Sequence, residues 1–203
     1  MNFDNPPLPF GYSPVAPGQL AQIVTFLEMT ERPAGRDVNA DPPDLKRLTA
    51  QDLDAYRALF RRVGEDWLWS SRLELAEAGL HAILSDARVE AYALQSDGQS
   101  IGLLELDFRQ DRACELSFFG LVKEAIGRGF GRRLINAAIA RAWAQPIRRF
   151  WVHTCTLDHP SALAFYYRSG FRPYAQAVEV SNDPRLTGHV RRTAAPHVPL
   201  VEK

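Results

Sequence analysis

Apolar positions along this chain change their period several times, and each change marks an element. Ile23–Met29 (IVTFLEM) is a short β-rich run and predicts a strand. Leu45–Leu48 predicts a second. Thr49 then offers an N-cap, with the Asp52 carboxylate three residues on for the first turn. Leu53, Tyr56, Leu59, Phe60 and Val63 follow at helical spacing until Gly64 stops the run. Trp67–Leu84 predicts one or two further helices broken at Gly79. Arg88–Leu94 alternates as a strand does, and Ser96–Gln99 (SDGQ) is a hairpin turn signal. Ser100–Phe108 and Ala113–Val122 predict two more strands, joined by the polar turn Arg109–Arg112. In Arg132–Ala144, Leu134, Ile135, Ala138, Ile139, Ala142 and Trp143 form one apolar face, ended by Pro146. A strand over Arg148–Thr156, a helix over Pro160–Ser169 stopped by Gly170, and a strand over Phe171–Val180 complete the pattern.

An antiparallel meander followed by strand–helix–strand–helix–strand predicts a mixed α+β domain over 45–182. Pro6, Pro7, Pro9, Pro14 and Pro17 make the start of the chain an irregular arm, so 1–40 is expected to be an arm with one extra strand. Arg32–Asp44, with Pro33, Gly35, Pro42 and Pro43, predicts a linker. Residues 183–203, with Pro184, Pro196 and Pro199, predict a loop or docked tail.

Composition narrows the functional classes. Lys plus Arg and Asp plus Glu both total 24 in 203 residues, so formal net charge is zero. Neutrality gives no support to a nucleic-acid or anionic-membrane binder, which carries a basic excess. No apolar run is long enough to span a bilayer, and the first residues lack the basic and apolar regions of a secretory signal. Cys114 and Cys155 have no metal-type spacing, so a reducing, cytoplasmic setting is expected rather than a disulfide scaffold.

The stretch Gly127–Gly131 (GRGFG) carries the chemistry. Alternate glycines let a backbone approach a ligand closely, and the helix that follows presents unpaired N–H groups to an anion. Arg128, Arg132 and Arg133 add positive charge, so a pyrophosphate site is the direct reading. A Walker A loop would need Lys-Ser/Thr after the last glycine, and none is present. A dinucleotide fingerprint would need glycine where Arg132 or Leu134 stands.

With those two excluded, Val122–Leu134 resembles the acyl-CoA pyrophosphate loop of the GNAT N-acetyltransferase superfamily, Arg/Gln-x-x-Gly-x-Gly/Ala. Gly129 and Gly131 match its glycines, whereas Ile126 stands where Arg or Gln is usual. His159–Phe171 is similar to the family's second signature, Asn-x-x-Ala-x-x-x-Tyr-x-x-x-Gly-Phe. Ala162, Tyr166, Gly170 and Phe171 match, and His159 replaces Asn. The resemblance covers Leu45–Val180 and implies a central, mostly antiparallel twisted sheet, flanked by helices and splayed at the acyl-CoA site. The family has two strands after the last helix where this chain shows one, so the strand at Ile23–Met29 is expected to take the vacant place.

The resemblance further implies acetyl transfer from acetyl-CoA to a primary amine of a small molecule or peptide by direct attack, without metal. The alternative is a non-catalytic acyl-CoA-binding or regulatory domain. Acetyl-CoA would be held by Leu121, Val122, Ile126, Gly127, Arg128, Gly129, Phe130, Gly131, Arg132, His159 and Tyr166. A backbone N–H near Phe119–Leu121 would polarise the thioester carbonyl. Tyr166 takes the place of the tyrosine that protonates the leaving thiolate, and Glu115, six residues before Leu121, that of a catalytic glutamate. Glu105 and Asp107 share a strand face, and with Trp67 and Trp69 are expected to border the substrate. Arg72 is a further candidate there. His153, Cys155 and His159 lack another apparent ligand, so no metal is expected. The protein is expected to act as a monomer or homodimer, with no nucleic-acid or membrane partner.

Overall fold

A computed structural model describes residues 5–33 and 43–202. The centre of the expected linker and the first residues of the arm lie outside them. The strands are β1 (Gln19–Met29), β2 (Leu45–Leu48), β3 (Val89–Ser96), β4 (Gln99–Asp107), β5 (Ala113–Leu121), β6 (Arg149–Cys155) and β7 (Arg172–Asn182). They form one sheet in the order β2-β3-β4-β5-β6-β1-β7, antiparallel throughout except for β5 against β6. The helices are α1 (Leu53–Gly64), α2 (Ser71–Glu74), α3 (Glu77–Ser85), α4 (Phe130–Ala142) and α5 (Ala162–Arg168).

Alternation along each strand divides the core into two layers. Ala91, Ala93 and Leu103 face α1 and α3, where they bury Tyr56, Leu59, Phe60, Val63, Leu80 and Leu84. Tyr92, Leu94, Leu104 and Leu106 face the other way and pack with Leu134, Ile135, Ala138 and Ile139 of α4. Each large apolar side chain buried here contributes about 1.5–3 kcal/mol, which is why these faces set the register.

The chain meets its own N-terminal strand at the far side of the sheet. β6 and β7 run in the same direction, joined across α5, yet they are not neighbours. β1 fills the space of one strand between them, pairing Val24 with Cys155 on one side and with Ala177 on the other. Leu27 and Met29 of β1 are buried in the α4 layer, so the insertion is part of the core.

Residues 183–202 are docked. Arg185 pairs with Asp183 at 2.7 Å, both fully buried, and donates to the carbonyls of Ala194, Ala195, Val198 and Pro199. Val190, Ala194 and Ala195 bury against Leu20 and Leu68. The Glu65 carboxylate accepts from the Arg191 backbone at 3.1 Å and from its Nε at 2.6 Å.

Two local expectations are corrected. Asp52, not Thr49, immediately precedes α1, and its carboxylate accepts from the backbone and hydroxyl of Thr49. The break between α2 and α3 falls at Leu75 and Ala76, whereas Gly79 lies inside α3. Leu75 is extended there because its side chain packs toward the α1–α3 core.

Candidate active site

The parallel ladder between β5 and β6 is short: residues 113–115 pair with 149–151, and beyond them the strands part. A bulge in the β4–β5 ladder coincides with the parting. Glu105 pairs with Phe118 and Leu106 with Leu116, so Ser117 is an extra residue. A cavity of about 1590 Å³ occupies the splay, with Ser117, Phe119 and Gly120 on one wall and Val152, His153 and Cys155 on the other.

One end of the cavity is the glycine loop. Gly127 and Gly129 have φ of 81° and 85°, a left-handed conformation that side chains rarely tolerate. Gly129 immediately precedes α4, and its carbonyl accepts from Arg132 at 3.1 Å and Arg133 at 3.4 Å. The amides of Gly129, Phe130 and Gly131 come before these first bonds, the position at which helix starts leave donors for an anion. Ile126, Gly127, Gly129, Gly131 and Arg132 line the cavity. A pyrophosphate fits this cradle by chemistry and by exposure. The isoleucine at 126 is 40% exposed and leaves the backbone donors untouched.

The other end is acidic. Burial, reinforced by the neighbouring Asp107 carboxylate, pushes Glu115 up to about 7 against the opposing charge of Arg72. His153 Nδ1 lies 3.6 Å from Glu115, and burial pulls its imidazole below the ordinary histidine value. A neutral imidazole therefore faces a carboxyl that is half ionised near neutrality. Asp107 also lines this end, held by the Arg109 guanidinium at 2.5 Å.

Between the ends stands Tyr166. It is 6% exposed and packs its ring on Phe119, Phe165 and Phe171 while lining the cavity. Burial, with a smaller contribution from Asp158, drives its phenol far above the usual value, so the hydroxyl keeps its proton. Asp158 itself accepts from Trp69 Nε1 at 3.0 Å, Thr154 Oγ1 at 2.8 Å and the Cys155 amide at 2.9 Å. Trp69 is wedged over Gly120, where a Cβ would come within 3.2 Å of the indole and 2.4 Å of Val63. That bare Cα fixes the wall beside the splay.

Of the residues singled out from sequence, Leu121, Ile126, Gly127, Gly129, Gly131, Arg132, His159, Tyr166, Glu115, Asp107, Trp67, Trp69 and Arg72 all reach this cavity. Five do not line it: Val122, Arg128, Phe130, Arg133 and Glu105. Val122 is buried, and its N–H donates to the Ile101 carbonyl at 2.9 Å, so it has no donor for a ligand. Phe130 packs between the two core layers, with Arg128 over its ring at 5.3 Å. Glu105 is fully buried, accepting from the Tyr56 hydroxyl and from Arg72 at 2.6 Å, and thus holds Arg72 rather than a substrate. Sequence reasoning missed Asp158, whose only signal is its place just before His159. It also missed Gln22, Glu179 and His189, which reach the cavity from β1, β7 and the C-terminal segment. Cys155 lines the wall with its thiol pushed up to about 12, an unreactive form. Among the described residues no group of three His, Cys, Asp or Glu could hold a metal ion, and no helix is long and apolar enough to cross a membrane.

The sequence model of the acetyltransferase (GNAT) family matches residues 53–171. No curated protein matches the chain. Among solved structures, a conserved protein of unknown function from Staphylococcus epidermidis aligns with TM-score 0.58 and 15% identity, covering 82% of this chain. This chain spans 63% of that one, less than two thirds of its length. A protein described as an acetyltransferase from the GNAT family of Novosphingobium aromaticivorans aligns with TM-score 0.57 and 21% identity over 84% of this chain and 71% of its own. An aminoglycoside acetyltransferase from an uncultured soil metagenomic sample aligns with TM-score 0.52 and 16% identity over 62% and 86% respectively. At these identities the likeness is one of fold.

Proposed function

The chain belongs to the acetyltransferase (GNAT) family, and from that premise we propose that it transfers an acetyl group from acetyl-CoA to a primary amine of a small molecule or peptide. The observation that carries this reading is the single cavity joining three parts: the glycine cradle at 126–132, the buried phenol of Tyr166 and the titrating carboxyl of Glu115. A binding module would need only the first.

Each residue then has a task. The amides of Gly129 and Gly131 and the Arg132 guanidinium hold the pyrophosphate. The splayed edge of β5 beyond residue 115, freed from β6, offers main-chain groups to the pantetheine arm and a donor to the thioester carbonyl. Glu115, directly or through water, takes a proton from the acceptor ammonium, and the free amine forms the C–N bond. The C–S bond then breaks, Tyr166 gives its proton to the departing thiolate, and the second proton, shed by the new amide nitrogen, returns to the phenolate through water. Burial keeps the phenol protonated and so available as a donor, while making it the weaker acid, so the charge developing on the sulfur must draw the proton across.

The aminoglycoside acetyltransferase neighbour is consistent with a polar amine acceptor, although fold likeness alone does not select one. The test couples calorimetric binding of acetyl-CoA to CoA release across a panel of amines. Binding with micromolar-range affinity and amine-dependent CoA release are expected. Acetyl-CoA binding without CoA release from any amine would assign the non-catalytic role instead.

A further inference from the structure

The indole of Trp69 lines the cavity, yet the transfer step above makes no use of it. Its seat is hollowed from two sides. A Cβ at Gly64, the last residue of α1, would come within 2.5 Å of Trp69, and one at Gly120 of β5 within 3.2 Å. The rings of Phe60 and Phe118 close on the indole, with centroids at 5.6 and 5.4 Å. The Trp69 backbone N–H donates to the Gly64 carbonyl at 3.0 Å. Leu68, just before it, is held at φ of 58°, a left-handed conformation that a bulky side chain adopts only where its surroundings impose it. The indole N–H donates to Asp158 at 3.0 Å, and the same carboxylate accepts from Thr154 Oγ1 and the Cys155 amide at the end of β6. Trp69 therefore spans the splay, resting on β5 and tied to β6.

Where the indole rests decides what it can do. Gly120 belongs to the stretch of β5 beyond residue 115 that is unpaired with β6, the stretch whose main chain is offered to the thioester. Resting on the transferase reading above, we propose that Trp69, positioned by Asp158, sets the length of the acyl chain, admitting acetyl and rejecting a medium-chain acyl group. A carbonyl bound beside Gly120 has its acyl carbons next to the ring that covers that residue. Acetyl is short enough to end there, whereas each further methylene has to displace an aromatic ring held between two phenylalanines. The ring does not swing aside freely, because its N–H and the Asp158 carboxylate would part.

The experiment measures binding of acetyl-CoA and hexanoyl-CoA by calorimetry without any amine, so that it reads the acyl site alone. Wild type is expected to bind hexanoyl-CoA about tenfold or more weakly, the scale on which a pocket rejects extra methylenes. Trp69→Ala is expected to erase that difference, while acetyl-CoA affinity, supplied mainly at the glycine cradle, attests to an intact fold. Trp69→Phe keeps a ring in the seat but has no N–H for Asp158, and Asp158→Asn gives up an accepting oxygen. Both are expected to fall between wild type and Trp69→Ala. A role in folding alone would weaken both ligands alike and leave their ratio in place. Equal binding of the two acyl-CoAs by wild type, or tighter binding of hexanoyl-CoA, overturns the proposal. So does a ratio unmoved in Trp69→Ala, with Trp69→Phe deciding where Trp69→Ala binds neither. Failure of wild type to bind acetyl-CoA falls instead on the transferase reading, as does binding without CoA release from any amine, which leaves the acyl-site result standing.

Discussion

Replacing Glu115 with Gln removes the group whose environment is most specifically arranged. Burial, with Asp107 and Glu105 adding to it and Arg72 and Arg109 opposing, raises its carboxyl from 4.5 to about 7. His153, which faces it from β6, is held below the ordinary histidine value by burial. With that value the carboxylate is about one tenth ionised at pH 6 and about nine tenths at pH 8, so wild-type kcat/KM referred to the ammonium form of the acceptor should rise about tenfold between them. In Glu115→Gln the rate should fall by about 10²-fold or more and the limb should vanish. Neighbouring substitutions should move the limb in opposite directions: Arg72→Met up, because a cation is lost, and Glu105→Gln down, because an anion is lost. Stability should respond with the opposite sign. A carboxyl raised in the folded state binds its proton more tightly there than in the unfolded chain. Its ionisation therefore costs stability as pH rises from about 4.5 to about 7, by roughly 3 kcal/mol in all. Glu115→Gln should accordingly unfold later than wild type at pH 8 and no later at pH 4, measured by denaturant titration. A variant that keeps the wild-type rate and the same pH limb would refute the assignment.

Three further outcomes are expected. Tyr166→Phe should lower kcat by about 10²-fold with acetyl-CoA affinity nearly unchanged, since phenylalanine fills the same packed site, and full activity would mean the thiolate leaves through water. Gly129→Val forces a β-branched residue to φ near 85°, at a cost of about 1–3 kcal/mol, so calorimetry should show acetyl-CoA affinity reduced by about tenfold or more. An unchanged affinity would remove the loop from the site. Arg185→Met leaves Asp183 buried without its partner and should destabilise the protein by about 3–5 kcal/mol, whereas a loss below about 1 kcal/mol would show that the C-terminal segment is not anchored there.

Local chemistry was legible in the sequence by itself. The turn at Asp97 and Gly98, with φ of 52° and 72°, needs only those two residues and their strands. The start of α4 at the glycines and its apolar face follow from spacing within one turn or two, as does the alternation that splits β3 and β4 between layers. Sequence also carried the family, because both signatures are short and contiguous. Tertiary structure decided what depends on register between distant segments. Nothing near Val122 says that its N–H is taken by Ile101, and nothing near Glu105 says that Tyr56 and Arg72 close over it. The splay, too, is non-local: β5 and β6 part because their parallel ladder ends after three residues, just where Ser117 bulges against β4. The far wall of the cavity is the extreme case. Gln22 and Glu179 lie 157 residues apart and meet only because β1 enters between β6 and β7, a pairing set by the burial of Leu27 and Met29 against α4 rather than by any local signal.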